Sequence, residues 1–433
     1  MKHFKLHIIL VALLFASTAI AQQTPAPKQT QAYSIEGATA HLGNGKIIEN
    51  SLIMFESGKI VFVGSTPMKV ARIGEIVDAR GKHIYPGFIA PNSTLGLVEI
   101  DAVRATKDND EVGSMNPHIR SIIAYNTESK IVESMRPNGV LMAQITPRGG
   151  RISGTSSIVQ LDAWNWEDAI IKADDGIHLN WPNPFSRGRW WLGEPATLKA
   201  NKDYNSQVEE LTSYFTESKA YNTGRKTPSH LPFEALQGLI DGTKKLYVHV
   251  SNEKGITDAI NFSKKNNVKS IVIVGGYEAD LVMDLLKQHD VPVLLQRVHS
   301  TPNNNDEDYD APFKLANKLV EAGVLVGLEN AGQMERMNTR NLPFLAGTCA
   351  AYGLSKEDAL SLITLNTSKI LGIDDKVGSL EVGKDATFFI SEGDALDMRT
   401  NKLTNAYIQG REISLESHQT KLYKRYSKKY GNQ

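Results

Sequence analysis

Between Ile256 and Leu328 the chain alternates helical patterns with short runs that are apolar at nearly every position. Ile256 to Lys265 has helical spacing, and Val268 to Val274 is a β-branched run. Ala279 to Lys287 is helical again, followed by Val291 to Leu295. Phe313 to Ala322 and Val324 to Leu328 repeat the pair. A strand that is apolar on both faces must be covered on both faces, so the pattern demands a parallel sheet wrapped by helices. Extended over residues 83–374, such a sheet predicts an eight-stranded β/α barrel, with a doubly wound open sheet as the competing fold.

Both ends of the chain read differently. Ser34 to Leu42, Ser51 to Glu56 and Ile60 to Val63 are short strands separated by turns at Asn44-Gly45 and Ser57-Gly58. Strand patterns return at Gly378 to Glu381, Thr387 to Ile390 and Ala406 to Glu412. These segments predict one composite β-sandwich domain from residues 34–82 and 375–415, with the barrel inserted between them. Residues 416–433 read as a polar tail, and 22–33 as a solvated linker.

The first 21 residues combine Lys2 and Lys5, an apolar run from Ile8 to Phe15 and a small-residue end at Ala19-Ile20-Ala21. That is the pattern of a cleavable export signal, too short to span a bilayer. The expected location is therefore the periplasm or the outside of the cell. Charge is balanced at 48 basic and 48 acidic residues, and losing Lys2 and Lys5 leaves a slight acidic excess. Nucleic acid is not expected as a partner. The single cysteine, Cys349, lies in a small-residue helical stretch and reads as a buried thiol.

Several segments, taken in order, resemble one family. Ile35-Glu36-Gly37-Ala38, Gly58 to Gly64, Tyr85-Pro86-Gly87-Phe88-Ile89 and Asn138-Gly139-Val140 are joined by Gly353-Leu354-Ser355, Thr364-Leu365-Asn366 and Gly378 to Ala386. Together they are similar to amidohydrolases of the imidazolonepropionase-like type. The resemblance implies a barrel of the TIM type and a hydrolase acting on carbon–nitrogen bonds other than peptide bonds. It implies one or two divalent metals that generate hydroxide and polarise a carbonyl. It also implies ligands at the strand ends: a His-x-His after the first strand, a Lys or Glu on the fourth, a His each on the fifth and sixth, and an Asp on the eighth.

Most of these positions are changed here. Asn92 and Thr94 stand at the histidines of the His-x-His, Gly275 at the histidine of the sixth strand and Ala331 at the aspartate. His178 takes the place of the Lys, and only His249 keeps its type. An amide and a hydroxyl are poor zinc donors, and glycine offers no side-chain donor. His178, His249, His299 and Glu329 are the candidates for a rebuilt single-zinc site, with His118 and Asp101 farther off. The expected outcome is no metal, with each of these residues a hydrogen-bonded group in the barrel mouth.

Two further features suggest a ligand. Trp164, Trp166, Trp181, Trp190 and Trp191 lie close together in sequence, where loops rim the active face of a β/α barrel. They suit stacking on a small ligand, or equally a small core or a dimer contact. Arg148-Gly149-Gly150-Arg151 suits an anion cradle, or a plain turn between strands. The expectation is an amidohydrolase-type protein with impaired or absent metal-dependent catalysis. The alternative is an exported non-catalytic protein that binds a small ligand, forms a homo-oligomer or partners an active homologue.

Overall fold

The structure is a computed structural model that describes residues 24–188, 192–195, 197–224, 226–332 and 334–431. The expected signal segment lies outside the described residues. The barrel sheet has eight strands. They are β1 (Phe88–Ser93), β2 (Val140–Ile145), β3 (Ile152–Gln160), β4 (Ile170–Asn180), β5 (Lys245–Val250), β6 (Ile271–Gly275), β7 (Val293–Leu295) and β8 (Val326–Leu328). No ladder joins β8 to β1. Instead Leu328 N–H donates to Leu362 O at 3.1 Å and Ile89 N–H to Ile363 O at 3.0 Å, so residues 362–363 fill the seam.

The chain thus folds as the expected TIM-type barrel, with one departure. Strand β3 runs antiparallel to both β2 and β4. Gly149 (φ +81°) and Gly150 (φ +62°) turn the chain straight back after β2, which leaves no room for a crossover helix. The end of β3 therefore emerges at the opposite end of the barrel from the ends of the other seven strands.

Elsewhere the β/α pattern holds. The helix Glu253–Lys265 opens at Asn252, whose side chain accepts the Gly255 N–H at 2.7 Å. It buries Ile256, Ala259, Ile260 and Phe262 against the barrel. Each large side chain so covered contributes about 1.5–3 kcal/mol. Inside the barrel, Ile89, Met142, Ile158, Val272 and Leu294 form an apolar layer with Tyr247, and Ile370 to Val377 plug it.

The two chain ends meet in two further sheets. A four-stranded sheet comes from residues 33–78, and a six-stranded sheet joins His83–Pro86 to Phe388–Ser391 and Leu403–Ile408. Ile35, Ile53 and Phe55 share one buried cluster with Leu380, Phe388 and Tyr407, which makes the composite sandwich. The Tyr85–Ile89 segment is divided: residues up to Pro86 belong to the sandwich, and the barrel begins at Phe88.

Two terminal segments differ from expectation. Residues 24–32 are seated on the body rather than solvated, because Ala26 N–H donates to Asp162 Oδ2 at 2.9 Å and Arg411 donates to Ala26 O. The polar tail forms a helix, His418–Tyr430, opened by a capping box between Ser417 and Thr420.

Candidate functional site at the barrel mouth

One set of polar residues converges inside the barrel near the C-terminal ends of its parallel strands. Asn92 is on β1, Gln144 on β2, Ser156 on β3, Asp175 and His178 on β4, Tyr247 and His249 on β5, and Glu329 follows β8. All but His249 are buried, and His249 keeps part of its surface open.

These groups form one connected network. Asp175 accepts from Ser156 Oγ at 2.7 Å, Gln144 Nε2 at 2.9 Å and Tyr247 OH at 2.7 Å. Ser156 Oγ lies 2.9 Å from His178 Nε2, and His178 Nδ1 lies 2.9 Å from His249 Nε2. The proton arrangement that satisfies this chain has Ser156 donating to Asp175, His178 Nε2–H donating to Ser156, and His249 Nε2–H donating to His178 Nδ1. The His178 ring also stacks on Tyr247, with centroids 4.7 Å apart and planes 8° apart. Gln144 Oε1 in turn accepts the Asn92 N–H at 3.0 Å.

The seam side of the mouth is acidic. Glu329 Oε2 accepts Asn92 Nδ2 at 3.1 Å and Ala331 N–H at 2.6 Å. Glu335 Oε1 accepts both the N–H and the hydroxyl of Thr94, and its Oε2 pairs with Arg148 at 3.0 Å. Arg148 also donates to the Asn92 carbonyl at 2.8 Å.

Burial sets the charge states. It drives His178 well below its ordinary value, reinforced by His249 and by the Arg148 charge. It takes His249 down to about 3, again with Arg148 adding to the effect. Desolvation lifts Asp175 against its three hydrogen bonds, and it raises Glu329 to about 7 with help from Glu335. The mouth therefore holds neutral imidazoles around a single guanidinium.

Such a donor set does not fit the metal that the family resemblance implies. Both nitrogens of His178 are engaged, one with Ser156 and one with the other imidazole. The Thr94 hydroxyl is spent on Glu335. Asn92 Oδ1 is the one buried oxygen at these positions without a hydrogen-bond partner. Among the described residues, no group of three or more His, Cys, Asp or Glu side chains gathers to hold a metal ion.

The remaining candidates lie apart from this network. His299 bonds Thr348 Oγ1 at 2.7 Å and lines a separate cavity of about 470 Å³ with Phe344 and Met398. Asp101 pairs with Arg336, and His118 lines an outer cleft with Asp110 and Arg120. Arg148 and Arg151 do not cradle a common anion: Arg151 donates to the Asn180 carbonyl at 2.8 Å, away from the Arg148 partners.

Nor do the tryptophans line one surface. Trp164 and Trp166 follow the reversed strand β3 and so sit at the far end of the barrel, where Trp164 lines a cavity with Gln29 and Arg411. Trp181 is a core residue, bonded to Tyr204 OH at 3.1 Å and packed edge-on to Phe262. Trp190 and Trp191 lie outside the described residues. Cys349 is buried, as its sequence context suggested, and burial pushes its thiol up to about 12.

Sequence reasoning found His178, His249, Asn92 and Glu329, and it named Arg148 for a different role. It missed Gln144, Ser156, Asp175 and Tyr247. The legible signal was an aspartate directly before Gly176-Ile177-His178, on a strand paired with the one that carries Tyr247. A buried carboxylate on a strand needs donors nearby.

The comparisons agree with this architecture. Residues 197–413 match the amidohydrolase family. The chain is 24% identical to an imidazolonepropionase of Caldanaerobacter subterraneus over 81% of its own length and 86% of that protein. It is 21% identical to a 5'-deoxyadenosine deaminase of Methanobrevibacter smithii, covering 82% of each. Among solved structures, an amidohydrolase of Thermotoga maritima superposes with a TM-score of 0.75 at 24% identity, over 88% of this chain and 99% of that one. With half the chain matched, and with the sandwich and barrel in the order that its segments predict, this protein belongs to the amidohydrolase family.

Proposed function

We propose that this protein is an exported, metal-poor member of the amidohydrolase family that binds a small molecule at the barrel mouth without the family's metal-assisted hydrolysis. One observation carries the reading: His178 and His249 hydrogen-bond to each other at 2.9 Å. Imidazoles that serve as one another's partners are withdrawn from coordination, and burial together with Arg148 holds both neutral. What remains is a set of hydrogen-bonding groups suited to recognition. Association with an active homologue fits the same reading, since the fold is that of the family.

A working single-metal hydrolase draws support from one feature, the orphaned Asn92 Oδ1 next to Glu329. Elemental mass spectrometry of the protein purified without chelator decides between the two. We expect less than stoichiometric zinc, manganese or iron, unchanged in His249→Ala, and no turnover of amides, lactams or aminopurines. About one metal per chain that His249→Ala removes would overturn the proposal. The mass of the chain recovered from its native cell would test export, with a start near Gln22 expected.

A further inference from the structure

The C-terminal helix His418–Tyr430 buries none of its side chains. Its root is fixed: Ser417 is buried and the His418 N–H donates to Glu133 Oε1 at 2.6 Å. Beyond that root it projects into solvent. A helix that packs on nothing is not held by its own propensity at this length. This one is nevertheless strongly amphipathic.

At about 100° per residue, Leu422, Tyr423, Tyr426 and Tyr430 fall on one side of the helix. Lys421, Lys424, Arg425, Lys428 and Lys429 fall on the other, and no acidic residue occurs among the thirteen. The tyrosines are exposed, at 74% for Tyr423, 46% for Tyr426 and 52% for Tyr430. The two sets touch at their border, with Arg425 over the Tyr426 ring and Lys429 over the Tyr430 ring at about 5 Å. The rest of the chain carries five more acidic than basic residues, so this positive charge is segregated onto one projecting element.

We propose that this helix docks the protein on an anionic lipid surface. Charge complementarity selects the occupant. Glu416, just before the helix, meets Lys424 at 2.9 Å and Lys421 at 3.9 Å, which leaves a net excess of four cations. That excess calls for a surface of phosphates, and a row of tyrosines beside it suits the boundary between headgroups and acyl chains. A helix of this length, about 20 Å, lies flat on such a surface and offers both stripes to it at once. A protein partner would need separate pockets for three rings. A nucleic acid would leave the tyrosine stripe uncovered. The body of the protein stays in water, and among the described residues no helix is long and apolar enough to cross a membrane.

The test is co-sedimentation of the full-length mature protein with phosphatidylcholine vesicles, with and without phosphatidylglycerol. We expect binding to the anionic vesicles only, lost as salt is raised. Changing Lys421, Lys424 and Lys428 together to Gln should weaken it by about a hundredfold, at about fivefold for each charge. Changing Tyr423, Tyr426 and Tyr430 together to Ser should weaken it further at low salt. Because the helix buries nothing, the melting temperature of each variant should match the parent, which separates lost binding from lost fold. Equal binding to neutral vesicles, no binding to anionic ones, or binding unchanged in the lysine variant would overturn the proposal. So would a dimer in the absence of lipid that the lysine variant converts to monomer.

Discussion

The two ends of the barrel both bury polar groups, and they do so by different means. Where the barrel meets the sandwich, Asp162 lies between Arg136 at 2.8 Å and Arg411 at 2.9 Å, all three nearly inaccessible. Asp162 also accepts the Ala26 N–H, so one carboxylate ties together the barrel, the C-terminal strand and the N-terminal segment. Opposite charges there are in direct contact. At the mouth, Arg148 pairs with Glu335, but His178, His249, Asp175 and Glu329 have no opposite charge in contact and are shifted toward neutral forms instead. The first arrangement holds elements together. The second keeps uncharged donors and acceptors bonded to one another, with only His249 partly open to solvent.

Three variants would break or sharpen this contrast. Asp162→Ala removes the carboxylate shared by two buried arginines and should lower stability by about 3–5 kcal/mol in urea unfolding. A loss below about 1 kcal/mol would mean that the far end is not held by that ion cluster.

Glu329→Gln tests the mouth through pH. The folded state raises Glu329 from 4.5 to about 7, so the native protein binds that proton more tightly than the unfolded chain. Its stabilising contribution is therefore present below pH 4.5 and is lost as pH rises through 7, by about 3 kcal/mol. His178 and His249 act in the opposite sense: both are depressed, so stability falls as pH drops below 6.5. Subtracting the variant from the parent isolates the Glu329 contribution. The variant should gain on the parent by up to about 3 kcal/mol between pH 4.5 and pH 8. A difference independent of pH would show that Glu329 is ionised in the fold.

Trp164→Ala should have the smallest effect, within about 0.5 kcal/mol, because Trp164 is 65% exposed. Thermal melting would check it, and a large loss would return Trp164 to a structural role.

The legibility of each part follows from how local its cause is. The apolar runs that became β5 to β8 could be read because a strand covered on both faces has no alternative composition. Asn92, His178, His249 and Glu329 could be picked out because each lies on such a strand or just past its end. The tryptophans misled because closeness in sequence stood in for closeness in space, and a two-glycine turn at Gly149-Gly150 sent Trp164 and Trp166 to the opposite end from Trp181. His299 misled in a similar way: it follows a barrel strand, yet its side chain bonds Thr348 on an outer helix.

The sequence by itself, through the order of its apolar runs and its resemblance to one family, determined the β/α barrel and the β domain built from both ends of the chain. Only the tertiary structure decided that His178 and His249 bond each other, that Gln144, Ser156, Asp175 and Tyr247 stand behind them, and that Arg148 supplies the positive charge at the mouth. Those facts depend on strand register and on the reversal of β3, which bring together side chains up to about 240 residues apart in the chain. Charge state follows from that assembly, because desolvation acts on a group only once its neighbours have closed around it.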